Sequence, residues 1–279
     1  MAVEETSTSG RLQASEGYFE QGLALLERYG RPYMTALVKC GPVPEHIAFI
    51  MDGNRRFATR HHQISAAGHR FGYYKLLDAL EWCLDIGITC VSAYAFSIDN
   101  FKRPSDEVAM LMKLAEEKLE ELLHERDLVE RHGVQVRVLG DLTLLPATVQ
   151  AAAQRAMEAT KLHTRGILNI CFSYGSRQEM AQAVGKVQSD VASGALPPND
   201  VSPKHIEQHL YTEGCPPVDL LIRTSGETRL SDFLCWQVRN AQIVFANVLW
   251  PDFSFFHLLR ALLQYQMASA HLKSLELAP

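Results

Sequence analysis

Long apolar runs are missing from this 279-residue chain. No window approaches the roughly 18 uninterrupted apolar residues that a membrane-spanning helix needs. A GxxxxGK[ST] phosphate loop, a GxGxxG fingerprint, a GxSxG elbow and an HExxH helix are all absent, so the nucleotide, hydrolase and zinc-peptidase chemistries they carry are disfavoured. The six cysteines, at 40, 83, 90, 171, 215 and 235, form no CxxC pair and no zinc spacing. Scattered among apolar neighbours, they read as reduced core thiols. The first 15 residues carry glutamates and hydroxyls where a signal peptide needs basic and then apolar residues. Basic residues are outnumbered, 27 against 32 acidic, for a net charge of −5, which disfavours a nucleic-acid partner.

What is present is an ordinary globular composition, 47% apolar and 21% charged. Apolar runs at 46–51, 90–96, 134–139, 167–173 and 218–222, with a less regular sixth at 242–249, are too continuous to be half-exposed. They suit strands buried on both faces of a parallel sheet. Between them, Val108, Leu111, Met112, Ala115, Leu119, Leu122 and Leu123 recur at helical spacing opposite Glu116, Glu117, Glu120 and Glu121, a solvated face. Strands alternating with helices predict a single α/β domain: a central parallel six-stranded sheet flanked by helices. Ser176 with Glu179 reads as a capping box, and Ser202-Pro203 as an N-cap followed by a first-turn proline. Gly166, Gly194 and Gly214 stand where helices would stop, and 185–203 contains the expected surface loop.

In open α/β sheets ligands bind beyond the carboxyl ends of the strands. After the first run comes Asp52-Gly53-Asn54-Arg55-Arg56: a carboxylate able to hold Mg²⁺, a glycine for a tight turn, and amides opening a helix toward anions. From 53 to 77 no acidic residue occurs, against Arg55, Arg56, Arg60, Arg70 and Lys75 with histidines 61, 62 and 69. A solvated basic surface would carry the same charges, but the abutting turn favours a local positive basin. His61 and His62, consecutive on a helix, cannot face one metal and read as solvated. After the second run stand Ser97, Asp99, Asn100, Lys102 and Arg103. After the fifth stand Arg223, Ser225, Gly226, Arg229 and Ser231, where two arginines flanking Ser and Gly can grip a diphosphate through guanidinium forks and backbone amides. An internal salt bridge would explain either arginine singly. Three such strand ends together point to a polyphosphate ligand.

Six blocks, HIAFIMDGNRRFA, GH at 68–69, YAFSIDNFKRP at 94–104, RVLGD at 137–141, LIRTSGETRLSDFLCWQ at 221–237 and VLWPDF at 248–253, resemble the cis-prenyltransferases in order and spacing from about 40 to 267. They are most similar to the eukaryotic dehydrodolichyl diphosphate synthase branch. No DDxxD pair, the mark of trans-type prenyl synthases, is present. The resemblance implies repeated addition of isopentenyl diphosphate to an allylic primer such as farnesyl diphosphate, each new double bond cis. It implies a hydrophobic product tunnel and a catalytic domain over 41–279, behind an N-terminal extension over 1–40. It implies that Asp52 binds Mg²⁺ and that Asn54 positions the reacting groups and the departing proton. Arg56, His69 and Arg103 would hold or orient the allylic diphosphate, with Gly53 and Arg55 among the substrate-binding residues. Phe96, Ser97 and Asn100 would line the junction of the two substrates, and Arg223, Arg229 and Ser231 would grip isopentenyl diphosphate.

Four departures from the family pattern sharpen the expectation. Arg55 replaces the glycine of single-subunit bacterial enzymes, and Ser65 stands where another diphosphate-binding arginine is often found, leaving Arg55 or Arg60 to compensate. Thr228 and Gln242 replace a His and a Glu that serve the metal and substrate region in bacterial forms. After Met267 the chain reads ASAHLKSLELAP, without the Arg-x-Gly motif of self-sufficient members. The expectation is a catalytic subunit of a heteromer whose Nogo-B-receptor-like partner donates that tail. A self-sufficient homodimer making shorter or rubber-like chains and a non-catalytic scaffold are the alternatives. Phe19, Leu23, Leu26, Tyr33 and Leu37, partly helical in spacing but interrupted by Gly30 and Pro32, suggest peripheral contact with the cytosolic face of the endoplasmic reticulum membrane.

Overall fold

Apolar runs that do not alternate belong in a sheet covered on both faces, and the structure, a computed structural model describing residues 29–124 and 129–276, places them there. Strands β1 (His46–Ile50), β2 (Cys90–Ser97), β3 (Val134–Leu139), β4 (Gly166–Tyr174), β5 (Leu220–Arg223) and β6 (Gln242–Phe245) pair in parallel throughout, in the order β3-β4-β2-β1-β5-β6. Every residue of β1 and β5 is buried, whereas edge strand β3 mixes buried with half-buried positions. The sixth run is strand only as far as Phe245. Beyond it the chain bends back over the β1 and β5 ends, where Val248 O accepts from Ser225 N at 2.6 Å and Trp250 N donates to Asp52 O at 2.9 Å.

The helices are α1 (29–38), α2 (Asn54–Arg60), α3 (Ser65–Ile86), α4 (Ser105–His124), α5 (Val129–His132), α6 (Ala147–Thr160), α7 (Ser176–Ala192), α8 (Pro203–Glu207) and α9 (Phe255–Glu276). The two-residue period of a strand sends Ile47 and Phe49 into the larger core, with residues of α3, α4, α6 and α9. Ala48 and Ile50 turn to a smaller core with Tyr174, Leu221, Phe233 and Leu234.

Several local expectations are corrected by tertiary contacts. Ser176 and Glu179 form no capping box: Gly175 is the N-cap of α7 and makes no side-chain cap. Ser176 Oγ instead accepts from Cys235 N at 2.9 Å. Buried Glu179 accepts from Tyr211 N at 2.7 Å, Gln237 Nε2 at 3.0 Å and the Tyr174 hydroxyl, and burial raises its carboxyl above the ordinary range. Gly166 opens β4 rather than ending a helix, and α7 runs to Ala192, confining the loop to 193–202. Ser202 does cap α8, with Pro203 in the first turn. Helix α1 passes through Gly30 and Pro32, since a proline's fixed φ is itself helical.

The glutamates of α4 are not simply solvated. Glu117 meets Arg70 of α3 at 3.5 Å, Glu120 pairs with Arg155 of α6, and Glu121 accepts from Tyr74 at 3.2 Å, because helices flank α4 on both sides. All six cysteines are free; Cys83, Cys90 and Cys171 are buried, Cys215 is half-buried, but Cys40 and Cys235 are exposed rather than in the core.

Candidate active site

The carboxyl ends of β1, β2 and β5 carry the residues singled out above, and parallel register brings them level: Ile50 pairs with both Tyr94 and Arg223. The turn after β1 is fixed by Thr224. Its Oγ1 lies 3.0 Å from Asp52 N and 2.8 Å from Asp52 O. Gly53 holds φ 107°, and a Cβ there would come 2.9 Å from Leu249 and 3.2 Å from its backbone, so glycine is needed for both conformation and space.

Two cationic clusters result. In the first, Asp52 Oδ2 accepts from Arg223 Nη2 at 2.9 Å, and Asp52 Oδ1 lies 3.7 Å from Arg56. Arg223, its side chain only 3% exposed, also donates through Nη1 to Ser231 Oγ at 2.7 Å and to Arg229 O. Arg229 and Arg56 share the two oxygens of Glu227. In the second cluster, Glu107 receives Arg103 at 3.0 Å and Arg55 at 3.7 Å. His69 belongs here too, its pKa lowered to about 4 by burial and then by the charge of Arg103. Ser97 and Asn100 cap one another after β2, Asn100 Oδ1 accepting from Ser97 N at 3.1 Å. Phe96 packs behind them, its ring 5.0 Å from Phe101 and 5.1 Å from Phe172.

Asn54 and His69 line an apolar cavity of about 130 Å³ that continues between α3, α4, α6 and the sheet past Phe96, Leu111, Leu119 and Leu168. Among the described residues, four buried side-chain atoms at the site have no hydrogen-bond partner: Asn54 Oδ1, His69 Nε2, Arg223 Nε and Ser225 Oγ. Leaving such an atom unpaired costs about 1–3 kcal/mol, so their concentration at one place argues for a polar ligand.

Two expectations fail in detail. The basin of positive charge over 53–77 is matched, cation by cation, by carboxylates: Glu107 for Arg55, Asp52 and Glu227 for Arg56, Asp252 for Arg60, Glu117 for Arg70 and Asp78 for Lys75. Asp52 and Asp78 border the window, but Glu107, Glu117, Glu227 and Asp252 reach it from far along the chain, where a local reading does not see them. Nor can Ser225 and Gly226 offer backbone amides to a diphosphate, since they donate to Val248 O and Ala246 O. Ser65 Oγ is buried without a partner at the start of α3. Gln242 opens β6 opposite Leu220, at the far end of the sheet from Asp52. His61 and His62 are exposed, as expected. Sequence reasoning missed Glu107, Thr224 and Glu227. The last two lie within the Arg223–Ser231 block itself, and Glu107 follows Arg103 at the four-residue spacing that pairs them.

The chain is similar to known proteins in both sequence and fold. A family model described as "Putative undecaprenyl diphosphate synthase" matches residues 50–272. The dehydrodolichyl diphosphate synthase complex subunit of Homo sapiens is 47% identical over 248 residues, 89% of this chain and 73% of the human one. The tritrans,polycis-undecaprenyl-diphosphate synthase (geranylgeranyl-diphosphate specific) of Pyrococcus horikoshii is 40% identical, covering 89% and 92%. Among solved structures, lavandulyl diphosphate synthase from Lavandula x intermedia, in complex with dimethylallyl diphosphate, superposes with a TM-score of 0.76 at 32% identity, covering 80% of this chain and 95% of that one. A probable undecaprenyl diphosphate synthase from Campylobacter jejuni gives 0.66 at 29% identity, covering 81% and 96%. The chain therefore belongs to the undecaprenyl diphosphate synthase family and is a cis-prenyltransferase.

Proposed function

We propose that this enzyme extends farnesyl diphosphate by repeated cis addition of isopentenyl diphosphate, making long-chain polyprenyl diphosphate, specifically dehydrodolichyl diphosphate for dolichol. The observation that carries this reading is the position of Asn54, flanked in the chain by Asp52 of one cluster and Arg55 of the other and set on the wall of an apolar cavity. Two separate anion sites are what a reaction between two diphosphates needs, because holding both ends in register converts a collision into a near-unimolecular step.

In this reading Arg55, Arg103 and His69 receive the allylic diphosphate. Burial keeps His69 neutral, so it serves as a hydrogen-bond donor rather than a fixed cation. Arg223, Arg229 and Ser231 hold isopentenyl diphosphate, and Arg56, paired with Asp52 and Glu227, stands on that side rather than with the allylic cluster. Asn54 Oδ1, lacking an internal partner, is free to orient the reacting carbon and the departing proton. The apolar cavity excludes water from the cationic transition state and receives the growing chain as a product tunnel.

Mg²⁺ fits the donor set. Asp52 is a hard, partly exposed carboxylate, and Mg²⁺ is ordinarily held by one or two carboxylates together with substrate phosphates. No group of three or more metal-binding side chains exists among the described residues, so substrate oxygens and water would complete the shell. The ion would offset the charge gathering on the leaving diphosphate.

We further assign the chain as the catalytic subunit of a heteromer with a Nogo-B-receptor-like accessory subunit supplying an Arg-x-Gly tail. The human, mouse and fission-yeast relatives, each named as a complex subunit, support it. Peripheral contact with the cytosolic face of the endoplasmic reticulum membrane is supported by Tyr29, Tyr33 and Leu37, exposed one turn apart along α1. Phe19, Leu23 and Leu26, the rest of that predicted stripe, lie outside the described residues. No helix among the described residues is long and apolar enough to cross a membrane.

The deciding experiment measures labelled isopentenyl diphosphate incorporation with farnesyl diphosphate, for the chain alone and with the accessory subunit. Product appearing only in the complex is expected. Full turnover by the chain alone would overturn the heteromer, and unaltered turnover by Asp52→Ala in the complex would overturn catalysis at this site.

A further inference from the structure

At the amino ends of the strands, opposite the active site, lies a polar cluster that the reaction does not use. Cys90 opens β2, and Cys215 sits in the loop before β5. Asn169 of β4, fully buried, bridges them: its Nδ2 lies 3.6 Å from Cys90 Sγ, 3.4 Å from Cys215 Sγ and 3.0 Å from Ser92 Oγ. The two sulfurs thus share one amide nitrogen as a common neighbour. Arg137 of β3 brings its Nη1 to 3.1 Å from Cys215 Sγ, and the same guanidinium is anchored on Glu213 O at 3.0 Å and Tyr211 O at 2.9 Å. Four further groups complete the surroundings: His46, whose Nε2 lies 2.8 Å from Ser92 Oγ, buried Cys171, Glu179 and exposed Glu213.

The two sulfurs differ in access. Cys90 is wholly buried, whereas Cys215 is half-buried and lines a solvent-open pocket of about 490 Å³ together with His46, Pro216 and Trp236. A sulfur that meets solvent, accepts from a guanidinium and shares an amide neighbour with a second, buried thiol is the arrangement of an attacking and a resolving cysteine.

We propose that Cys215 and Cys90 form a hydroperoxide-reactive thiol pair, Cys215 attacking and Cys90 resolving. Cys215 sulfur attacks one oxygen of the hydroperoxide: an S–O bond forms, the O–O bond breaks, and the departing oxygen takes up the thiol proton and leaves as water or alcohol. Sulfur is oxidised to the sulfenic acid as the peroxide is reduced. Cys90 sulfur then attacks the sulfenic sulfur, an S–S bond forms, and hydroxide leaves with the Cys90 proton as a second water. Two thiols and one hydroperoxide thus become a disulfide and two hydroxylic products.

The electrostatics are consistent. The neighbouring Cys90 thiol, the amide of Asn169 and the charge of Arg137 lower the Cys215 thiol below the ordinary range against the opposing effect of burial. The Cys90 thiol is raised well above the ordinary range by its Cys215 neighbour and by its burial.

Hydrogen peroxide added to the full-length protein in its native assembly, followed by peptide mapping, tests the pair. A Cys90–Cys215 disulfide forming before exposed Cys40 and Cys235 are oxidised is expected. In Cys90→Ser, a sulfenic acid on Cys215 should persist and be captured by dimedone. Independently of any variant, iodoacetamide at about pH 5.5 should alkylate Cys215 on the order of ten-fold faster than the cysteine of a short peptide, allowing for the lower intrinsic reactivity of a more acidic thiol. Oxidation of Cys40 and Cys235 with Cys215 left reduced, or alkylation of Cys215 no faster than the peptide, would overturn the proposal.

Discussion

Arg223 holds Asp52 Oδ2 through one nitrogen at 2.9 Å and Ser231 Oγ through the other at 2.7 Å. One nearly buried guanidinium thus joins the carboxylate after β1 to the loop after β5, so the proposed metal ligand and the proposed isopentenyl site cannot move independently. Arg223→Ala should therefore damage both functions. We expect turnover to fall by about 10²–10³, the scale for losing a preorganised charge donor. In a double-mutant cycle, Arg223→Ala and Asp52→Ala should couple by about 0.5–3 kcal/mol in stability, measured by urea denaturation. Additive effects would mean that the ion pair is incidental.

Tyr94 secures the same loop from below. Its hydroxyl donates to Ser231 O at 3.2 Å and Tyr174 O at 3.3 Å, and its ring stacks on Phe233 at 4.4 Å. Ser231, Asp232 and Leu234 all hold positive φ, at 51°, 60° and 46°, a conformation that persists only where surroundings impose it. Tyr94→Phe should cost about 1 kcal/mol in stability and raise KM for isopentenyl diphosphate more than it lowers kcat. An unchanged KM in steady-state assays would show the loop to be self-supporting.

Stability should depend on acid through His46. Its Nδ1 is bound to Pro216 O at 2.8 Å, and burial lowers its pKa from 6.5 to about 4. Between those values the unfolded imidazole binds a proton that the folded one refuses, so stability is lost as pH falls from 6.5 to about 4, by about 3 kcal/mol at most. His69, lowered in the same direction, adds to the loss. Glu179 acts oppositely, since its raised pKa favours folding as pH falls. The His46 share is isolated by comparing urea midpoints of the wild type and His46→Gln from pH 7 down to 4. The variant should show the shallower slope.

Product length should respond to the cavity wall. Leu168 is fully buried on β4 and lines the apolar cavity, as does Ala153 of α6. Ala153→Phe should shorten the polyprenyl products, and Leu119→Ala should lengthen them or broaden their distribution. Chromatography of the dephosphorylated products gives the answer, with Tm recorded because overpacking costs about 1–3 kcal/mol. Unaltered product lengths in a folded Ala153→Phe protein would dissociate this cavity from the growing chain.

The strands were legible because burial on both faces leaves a continuous apolar run that needs no partner to be recognised. Their carboxyl ends were legible because unlike side chains, Asp52, Arg103 and Arg223, follow such runs at once. The Ser176–Glu179 pair shows where local pattern misleads. Its spacing is that of a capping box, yet both side chains are taken by Cys235, Tyr211 and Gln237, more than 30 positions away in the chain. Glu107 and Glu227 were passed over for the complementary reason: a carboxylate's importance depends on which cations face it, and Glu107 is met by Arg55 from α2 and by Arg103 from the extended turn before α4.

The absence of long apolar runs with which the sequence opens left a chain of short buried strands, and those alone determined the parallel sheet and the edge where its chemistry sits. Six motif blocks were enough for the family, since their residues are named by identity and order. Which cations face a carboxylate, which amides are already occupied by Val248 and Ala246, and where a cavity remains between α4, α6 and the sheet were decided only in three dimensions. Those properties arise from distances between residues far apart in the chain. Charge, hydrogen bonding and packing act through such distances, and composition does not record them.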